Sequence, residues 1–227
     1  MSYQDQFETD VFETESGPLK ITFLGHGSLL INFKDQMIYI DPYGKVADYS
    51  KLPKGDIIFI THEHQDHLDL NALASVRTED TRLVMNKACQ DKLAGGTVMQ
   101  NGDELTIDGI QVKAVAAYNS VHKRESGVPF HPKGVGNGYV LTFGDLRVYI
   151  AGDTEDIPEM EELGDIDIAF LPMNLPYTMT PEMTANAAKI VRPRILYPYH
   201  YGQTDTRKLK DLLQDEQGLE VRIRKMA

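Results

Sequence analysis

The run Thr61-His62-Glu63-His64-Gln65-Asp66-His67 constrains this chain more than any other stretch. Three of its seven histidines fall within six residues. They follow Asp56-Ile57-Ile58-Phe59-Ile60, a continuous apolar run of the kind shown by a strand buried on both faces. His62 and His64 stand two apart, so at an extended strand end both imidazoles point the same way and can share one metal ion. Asp66 and His67 come where the chain must turn, and can face a second ion beside the first. Neutral imidazole with a few carboxylates suits zinc, and also manganese or iron. The plain alternative is a surface cluster, or histidines capping the next helix. Four ligand-type residues at this spacing behind a buried strand disfavour it.

Two distant segments repeat the pattern of a polar residue just past an apolar strand. Residues 147–151 end in Gly152-Asp153-Thr154, and 194–197 lead into Pro198-Tyr199-His200-Tyr201-Gly202. Taken singly, Asp153 serves equally well as a helix cap and His200 as a hydrogen-bonded core residue. Taken together, three strand ends carry ligand-type side chains, as a metal site on a sheet edge requires. Tyr201 is open between lining the pocket and plain packing. His26, after the first strand, is open in the same way. Its Gly25-His26-Gly27 setting imitates a dinucleotide-binding loop, but the third glycine is missing and another strand follows in place of a helix.

The 227 residues read as one domain, 1–227, with a polar lead-in over 1–17. Strands are expected at 19–24, 28–33, 37–40, 56–60, 96–99, 104–107, 110–117, 138–143, 147–151, 167–171 and 194–197. Helices are expected near 68–76 and 86–93, from the cap Thr180-Pro181-Glu182, and over about 204–215. A long Gly/Pro/Lys loop spans 119–136, and loops of that length are usually functional or disordered. Two packed sheets flanked by helices, an α+β architecture, satisfy this order.

Composition narrows the function. The net charge of −11 opposes a general grip on nucleic-acid phosphates. The lone Cys89 excludes an intramolecular disulfide and a four-cysteine zinc site, and reads as a core thiol. No apolar run approaches the roughly 18 residues of a membrane span, and the acidic start lacks a secretory apolar region. The expectation is a cytoplasmic protein acting on a small molecule, without nucleic acid or membrane partners and with its oligomeric state open. A serine hydrolase fits poorly, because no Gly-x-Ser-x-Gly elbow occurs.

With these motifs in order, the sequence resembles the metallo-β-lactamase superfamily of metal-dependent hydrolases. The HxHxDH motif is His62-Glu63-His64-Gln65-Asp66-His67, the strand–Gly-Asp-Thr motif ends at Thr154, and the last histidine motif is His200. The opening ITFLGHGSLLINF…MIYIDP is similar to the family's first hairpins, with Asp41 as the aspartate that orients a ligand histidine. The GHGS start, the FHPKG loop and the GDTEDIPEM stretch are most similar to the compact branch that contains ascorbate-6-phosphate-lactonase-like and uncharacterised hydrolases. The resemblance covers about residues 18–205. It implies a four-layer αββα sandwich, the metallo-β-lactamase fold, with a binuclear site at one edge.

Carried over by position, the resemblance implies His62 and His64 on the first metal, Asp66, His67 and His200 on the second, and Asp153 as the bridge. Many relatives place a histidine after the strand at 110–117, where this chain has Tyr118-Asn119. His131 or His122 takes that place, with His131 favoured by its His-Pro-Lys setting. A substrate role for either, weak ligation by Asn119, and one bound metal in place of two stay open. Asp66 and His131 are the catalytic candidates. The implied chemistry is metal-bound hydroxide, formed because zinc brings water to a pKa of about 7, attacking a small ester, lactone, amide or phosphodiester. Two acids against two divalent ions favour an anionic substrate, with Lys123, Arg124 and Lys133 available to hold it or simply solvated. A nuclease of the same superfamily and a metal-binding or redox-linked protein without hydrolytic activity are the alternatives.

Overall fold

In the computed structural model, residues 3–227 are described, so the first two residues of the lead-in lie outside the described residues. Within them, strands of two to eight residues, the central ones largely apolar, alternate with hairpin turns and short helices. The central apolar strands must bury both faces, and two sheets do so here. The first contains β1 (Thr9–Phe12), β2 (Leu19–Gly25), β3 (Ser28–Phe33), β4 (Gln36–Ile40), β5 (Ile57–Phe59), β6 (Arg82–Met85) and β7 (Thr97–Val98), side by side in chain order. The second contains β8 (Glu104–Ile107), β9 (Ile110–Ala117), β10 (Gly136–Phe143), β11 (Leu146–Ile150), β12 (Ile168–Pro172), β13 (Ile195–Tyr199) and β14 (Glu220–Val221). Each begins antiparallel and ends parallel, with the change at β4 and at β11.

Period-2 alternation explains why the central strands read as unbroken apolar runs. Ile57 and Phe59 enter the core between the sheets, with Ile21, Phe23, Tyr139 and Phe170. Ile58 and Ile60 face the other way, onto Leu73, Val76 and Cys89. These belong to α1 (Leu70–Val76) and α2 (Lys87–Gln90). On the far side, Ala169 and Leu171 of β12 meet Ala185, Ala188 and Leu209 of α3 (Pro181–Val191) and α4 (Thr206–Leu212). Three apolar layers therefore separate four structural layers in the order αββα. The caps follow the sequence: Thr180 accepts from Met183 N with Pro181 in the first turn, and Asp69 accepts from Asn71 N and Ala72 N.

The structure departs from the sequence expectations at the edges. The lead-in carries β1, because backbone pairing to β2, with Val11 left 57% exposed, needs no apolar alternation. Strand β6 was not expected, and the strand at 96–99 shrinks to Thr97–Val98. Helix 86–93 keeps one turn of helix, with Cys89 buried.

Strands β4, β5, β11, β12 and β13 run parallel within their sheets, and their C-terminal ends meet at one edge of the sandwich. Two backbone bonds join the sheets there: Asn137 N to Thr61 O at 2.9 Å, and His200 N to His26 O at 3.0 Å. Away from that edge, Asp10 of β1 accepts from Arg224 Nη2 at 2.7 Å and from Tyr197 Oη of β13. Arg224 also lies over the Phe23 and Tyr197 rings. Burial raises the Asp10 pKa, but these donors and the charges of Arg224 and Arg222 outweigh it and hold the carboxyl below its ordinary value. A lowered carboxylate pKa contributes stability above the unfolded value that is lost as pH falls through the folded one. Asp10→Asn is therefore expected to cost about 1–2 kcal/mol at pH 7, a charged hydrogen bond's worth, and a few degrees of Tm. The gap from the wild type, followed by thermal unfolding, should close as the solution is acidified through the lowered pKa.

Candidate metal centre

Each strand end delivers its polar residue to one spot. Beyond β5, Thr61 to His67 turn before α1, and beyond β4, β11 and β13 come Asp41, Asp153 and His200. Three groupings of donor atoms result, each with all atoms within 4.8 Å of one another: His62, His64 and His131; His62, His67 and Asp153; and His26, Asp66, His67 and His200. His64 Nδ1 lies 3.1 Å from His62 Nε2 and 3.2 Å from His131 Nε2. Asp153 stands between the groupings. Its Oδ2 is 3.2 Å from His131 Nε2 and 3.5 Å from His200 Nε2, and its Oδ1 is 3.4 Å from His67 Nε2. Asp66 Oδ2 is 3.0 Å from His26 Nε2 and 3.6 Å from His200 Nε2.

The outer nitrogens are held by other residues. His67 Nδ1 donates to Asp41 Oδ2 at 2.8 Å, and His131 Nδ1 donates to Asn119 Oδ1 at 2.8 Å. His62 Nδ1 faces Thr61 Oγ1 at 3.0 Å, and the Asn174 side-chain amide lies 3.4 Å from His200 Nδ1. With the proton of the neutral ring on Nδ1, as these acceptors favour for His62, His67 and His131, Nε2 keeps a lone pair, so three rings present lone pairs to one small space.

The backbone is shaped for this. His26, Asp41 and His200 have φ of 54°, 44° and 46°, left-handed values that cost about 1–3 kcal/mol each and that cluster at functional sites. Gly27 lets the β2–β3 turn pass close: a Cβ there would stand 3.1 Å from His67 Cε1. Gly152, at φ +66°, brings Asp153 out of β11, and a Cβ would meet Asn137 O at 2.8 Å.

Burial lowers the pKa values of His26, His62 and His64. His67 goes the other way. Burial opposes its charge, but Asp153, Asp41 and Asp66 outweigh that and push it up to about 9. Asp66 is desolvated, yet the adjacent His200 and His26 imidazoles and the charge of His67 hold it well below the carboxylate range. The acids thus draw positive charge into the centre. His67 Nε2, His200 Nε2 and Asp153 Oδ1 are buried with no hydrogen-bond partner among the described residues. Unsatisfied polar atoms buried in this way are costly unless a partner meets them. Nitrogens about 2.0–2.1 Å from a tetrahedral zinc would be about 3.3 Å apart, close to the spacings around His64. The donor set fits divalent cations.

The structure brings His62, His64, Asp66, His67, His131, Asp153 and His200 together, and His26 with them. His122 is elsewhere, its Nδ1 2.6 Å from Glu155 Oε1. Asn119 has no oxygen to spare, since Oδ1 takes both His131 N and Nδ1. Tyr201 does not line the pocket, because its hydroxyl donates to Arg224 O and anchors the C-terminal tail. Lys133 is tied to Glu159 at 2.6 Å and Arg124 lies over Phe130, so neither points a cation into the cavity.

Sequence reasoning missed Glu155. It is fully buried and accepts from Ser120 N, Val121 N, His122 N, Ser120 Oγ and Asn119 Nδ2, among others. Burial raises its pKa, but these donors bring it down to about 2. Through Asn119 it sets the angle of His131. Its one sequence signal is its place two residues past Asp153. Asn174 gave none.

Comparison with known proteins identifies the family. A family described as a β-lactamase superfamily domain matches residues 20–200. A UPF0173 metal-dependent hydrolase of Thermococcus kodakarensis is 32% identical over 196 residues, 81% of this chain and 84% of that one. A crystal structure from Parabacteroides distasonis, assigned as a metal-dependent hydrolase, is 51% identical with a TM-score of 0.93, covering 97% of this chain and all of that one. Igni18, a metallo hydrolase of Ignicoccus hospitalis, shares the fold at 24% identity and a TM-score of 0.75, over 92% of this chain and 96% of that one. The chain belongs to the metallo-β-lactamase superfamily, as a metal-dependent hydrolase.

Proposed function

We propose that the chain hydrolyses a small ester, lactone, amide or phosphodiester at two divalent cations, with zinc the first candidate and manganese or iron the others. The observation that carries this reading is the set of anchored imidazoles whose free nitrogens converge with Asp153 between them. His62, His64 and His131 would hold one cation, Asp66, His67 and His200 the other, and Asp153 would reach both. When bound, such cations supply Lewis acidity toward water and toward the scissile carbonyl or phosphoryl oxygen.

The chain's own residues do the rest. Asp41, Asn119 and Thr61 fix which ring nitrogen carries the proton. Asp66, whose side chain is 36% exposed, accepts from His26 and stays anionic, so it serves as an acceptor at the rim and not as an acid. A small cavity beside the histidines, lined also by Phe130, Pro132 and Asn137, supports a small reacting group. With Asp66 and Asp153 set against two divalent ions, the charge for an anionic group comes from the centre itself. The same reading treats 1–227 as one hydrolase domain working in the cytoplasm, supported by the buried free thiol of Cys89. No helix among the described residues is long and apolar enough to cross a membrane.

Purified protein is expected to carry divalent metal by elemental analysis. Chelation should abolish turnover of an ester, lactone and phosphodiester panel, and added zinc or manganese should restore it. Undiminished turnover by metal-free protein would refute the reading. Among variants, His131→Ala and Asn119→Ala should weaken metal binding, the second by about 10–100-fold as for other residues that orient a ligand. His122→Ala should leave the bound metal-to-protein ratio unchanged. Calorimetric titration of the metal-free proteins distinguishes these outcomes.

A further inference from the structure

Seven large hydrophobic side chains are conspicuously exposed among the described residues, and four of them sit on two loops beside the metal centre. Val121 and Val128 belong to the loop that carries His131, and Leu175 and Tyr177 to the one that carries Asn174. Single exposed leucines or valines mean little, but a patch at the mouth of a site does.

The two loops are tied to the centre and to each other. Asn119, which holds His131, also donates to Tyr177 O at 2.9 Å. Asn174 reaches His200. Phe130 packs edge-on against Tyr177, with ring centroids 5.2 Å apart. Arg124 N bonds to Val128 O at 2.8 Å, which folds the outer loop back over Phe130. Phe130 is also a wall of the cavity that holds His62, His64, His131 and Asp153. An apolar strip therefore leads outward from the cavity wall at Phe130 to Tyr177, with Val128 and Leu175 exposed on the same two loops.

Charge points the same way. No lysine or arginine lines the cavity, and Glu63 does. Lys133 is neutralised by Glu159, and the guanidinium of Arg124 is laid on the Phe130 ring. The cavity wall itself thus offers an apolar group more than a second anionic one. The cavity is too small to take more than the reacting group of most substrates, so the remainder of the molecule must lie along this strip.

We infer that Phe130, Tyr177, Leu175 and Val128 receive an apolar acyl or aryl arm of the substrate, whose scissile group sits among the histidines. This rests on the hydrolase reading above, and the test separates the two. Zinc-loaded protein is assayed on p-nitrophenyl acetate, butyrate, hexanoate and octanoate, and its binding of acetate and octanoate is measured by calorimetry. The expected kcat/KM rises at least tenfold from acetate to octanoate, with octanoate binding at least tenfold tighter. Leu175→Ser/Tyr177→Ser should lower both ratios about tenfold, the worth of roughly two buried methylenes. Val128→Ser should lower them less. Both changes are at exposed positions, and an unshifted thermal unfolding midpoint confirms an intact fold. A flat chain-length profile, or ratios that the variants do not move, overturns the inference while leaving the hydrolase reading in place. Selective octanoate binding without ester turnover supports the strip and counts against ester hydrolysis. A concentration-dependent dimer that Leu175→Ser/Tyr177→Ser dissociates, with a flat profile, assigns the patch to a second copy of the chain and overturns the inference.

Discussion

The buried carboxylate of Asp41 is the pivot of this molecule. It leaves the end of β4 in a left-handed conformation and accepts from Thr61 N at 2.8 Å, Thr61 Oγ1 at 2.6 Å and His67 Nδ1 at 2.8 Å. A buried charge without partners would be prohibitive, and here three donors satisfy it. In return it locks the end of β5 onto the end of β4 and turns the Nε2 of His67 inward. Thr61 O then accepts from Asn137 N of the opposite sheet. One carboxylate thus fixes sheet register, sheet-to-sheet contact and the tautomer of a histidine.

Energetically the centre opposes folding. Buried carboxylates, desolvated imidazoles and three left-handed residues all cost free energy, and three apolar layers offset it. This explains why so much of β5, β12 and β13 is buried on both faces. A strand half-exposed to water could not hold its end residue against that cost. It also explains why the polar residues sit past the strand ends and not within them, where the ladder would have no room for their partners.

Much of this was legible in the sequence because the determining pattern is local. Period-2 runs that bury both faces gave most of the sheet, and His62, His64, Asp66 and His67 announce themselves by spacing. Asp153 and His200 were legible only as the second and third members of a recurring arrangement, a polar residue after an apolar strand. What was not legible depends on distant pairing. Strand β1 is held by backbone bonds and by Asp10 reaching Arg224, more than two hundred residues away. The third position beside His62 and His64 could not be settled between His131 and His122, because their loop is organised by Glu155, whose role has no signature of its own. The basic residues of that loop suggested an anion site, and the structure pairs Lys133 with Glu159 and lays Arg124 on the Phe130 ring.

The Glu155 arrangement has a mechanical consequence. It gathers the backbone N–H groups of Ser120, Val121 and His122 around one carboxylate, so residues 119–122 are fixed as firmly as a strand end. From that anchor Asn119 extends one way to His131 and the other way to the Tyr177 carbonyl. His131 belongs to the metal centre, and Tyr177 to the apolar strip at its mouth. Any shift of the outer loop that moves Phe130 must also strain the Asn119–His131 bonds, and any reorientation of His131 must disturb Phe130 beside it. The proposed metal centre and the proposed substrate-facing strip therefore share one support. Variation in the exposed tip, residues 123–128, can alter what the mouth accepts without touching that support, which is how a fixed metal centre on a common fold comes to serve different substrates.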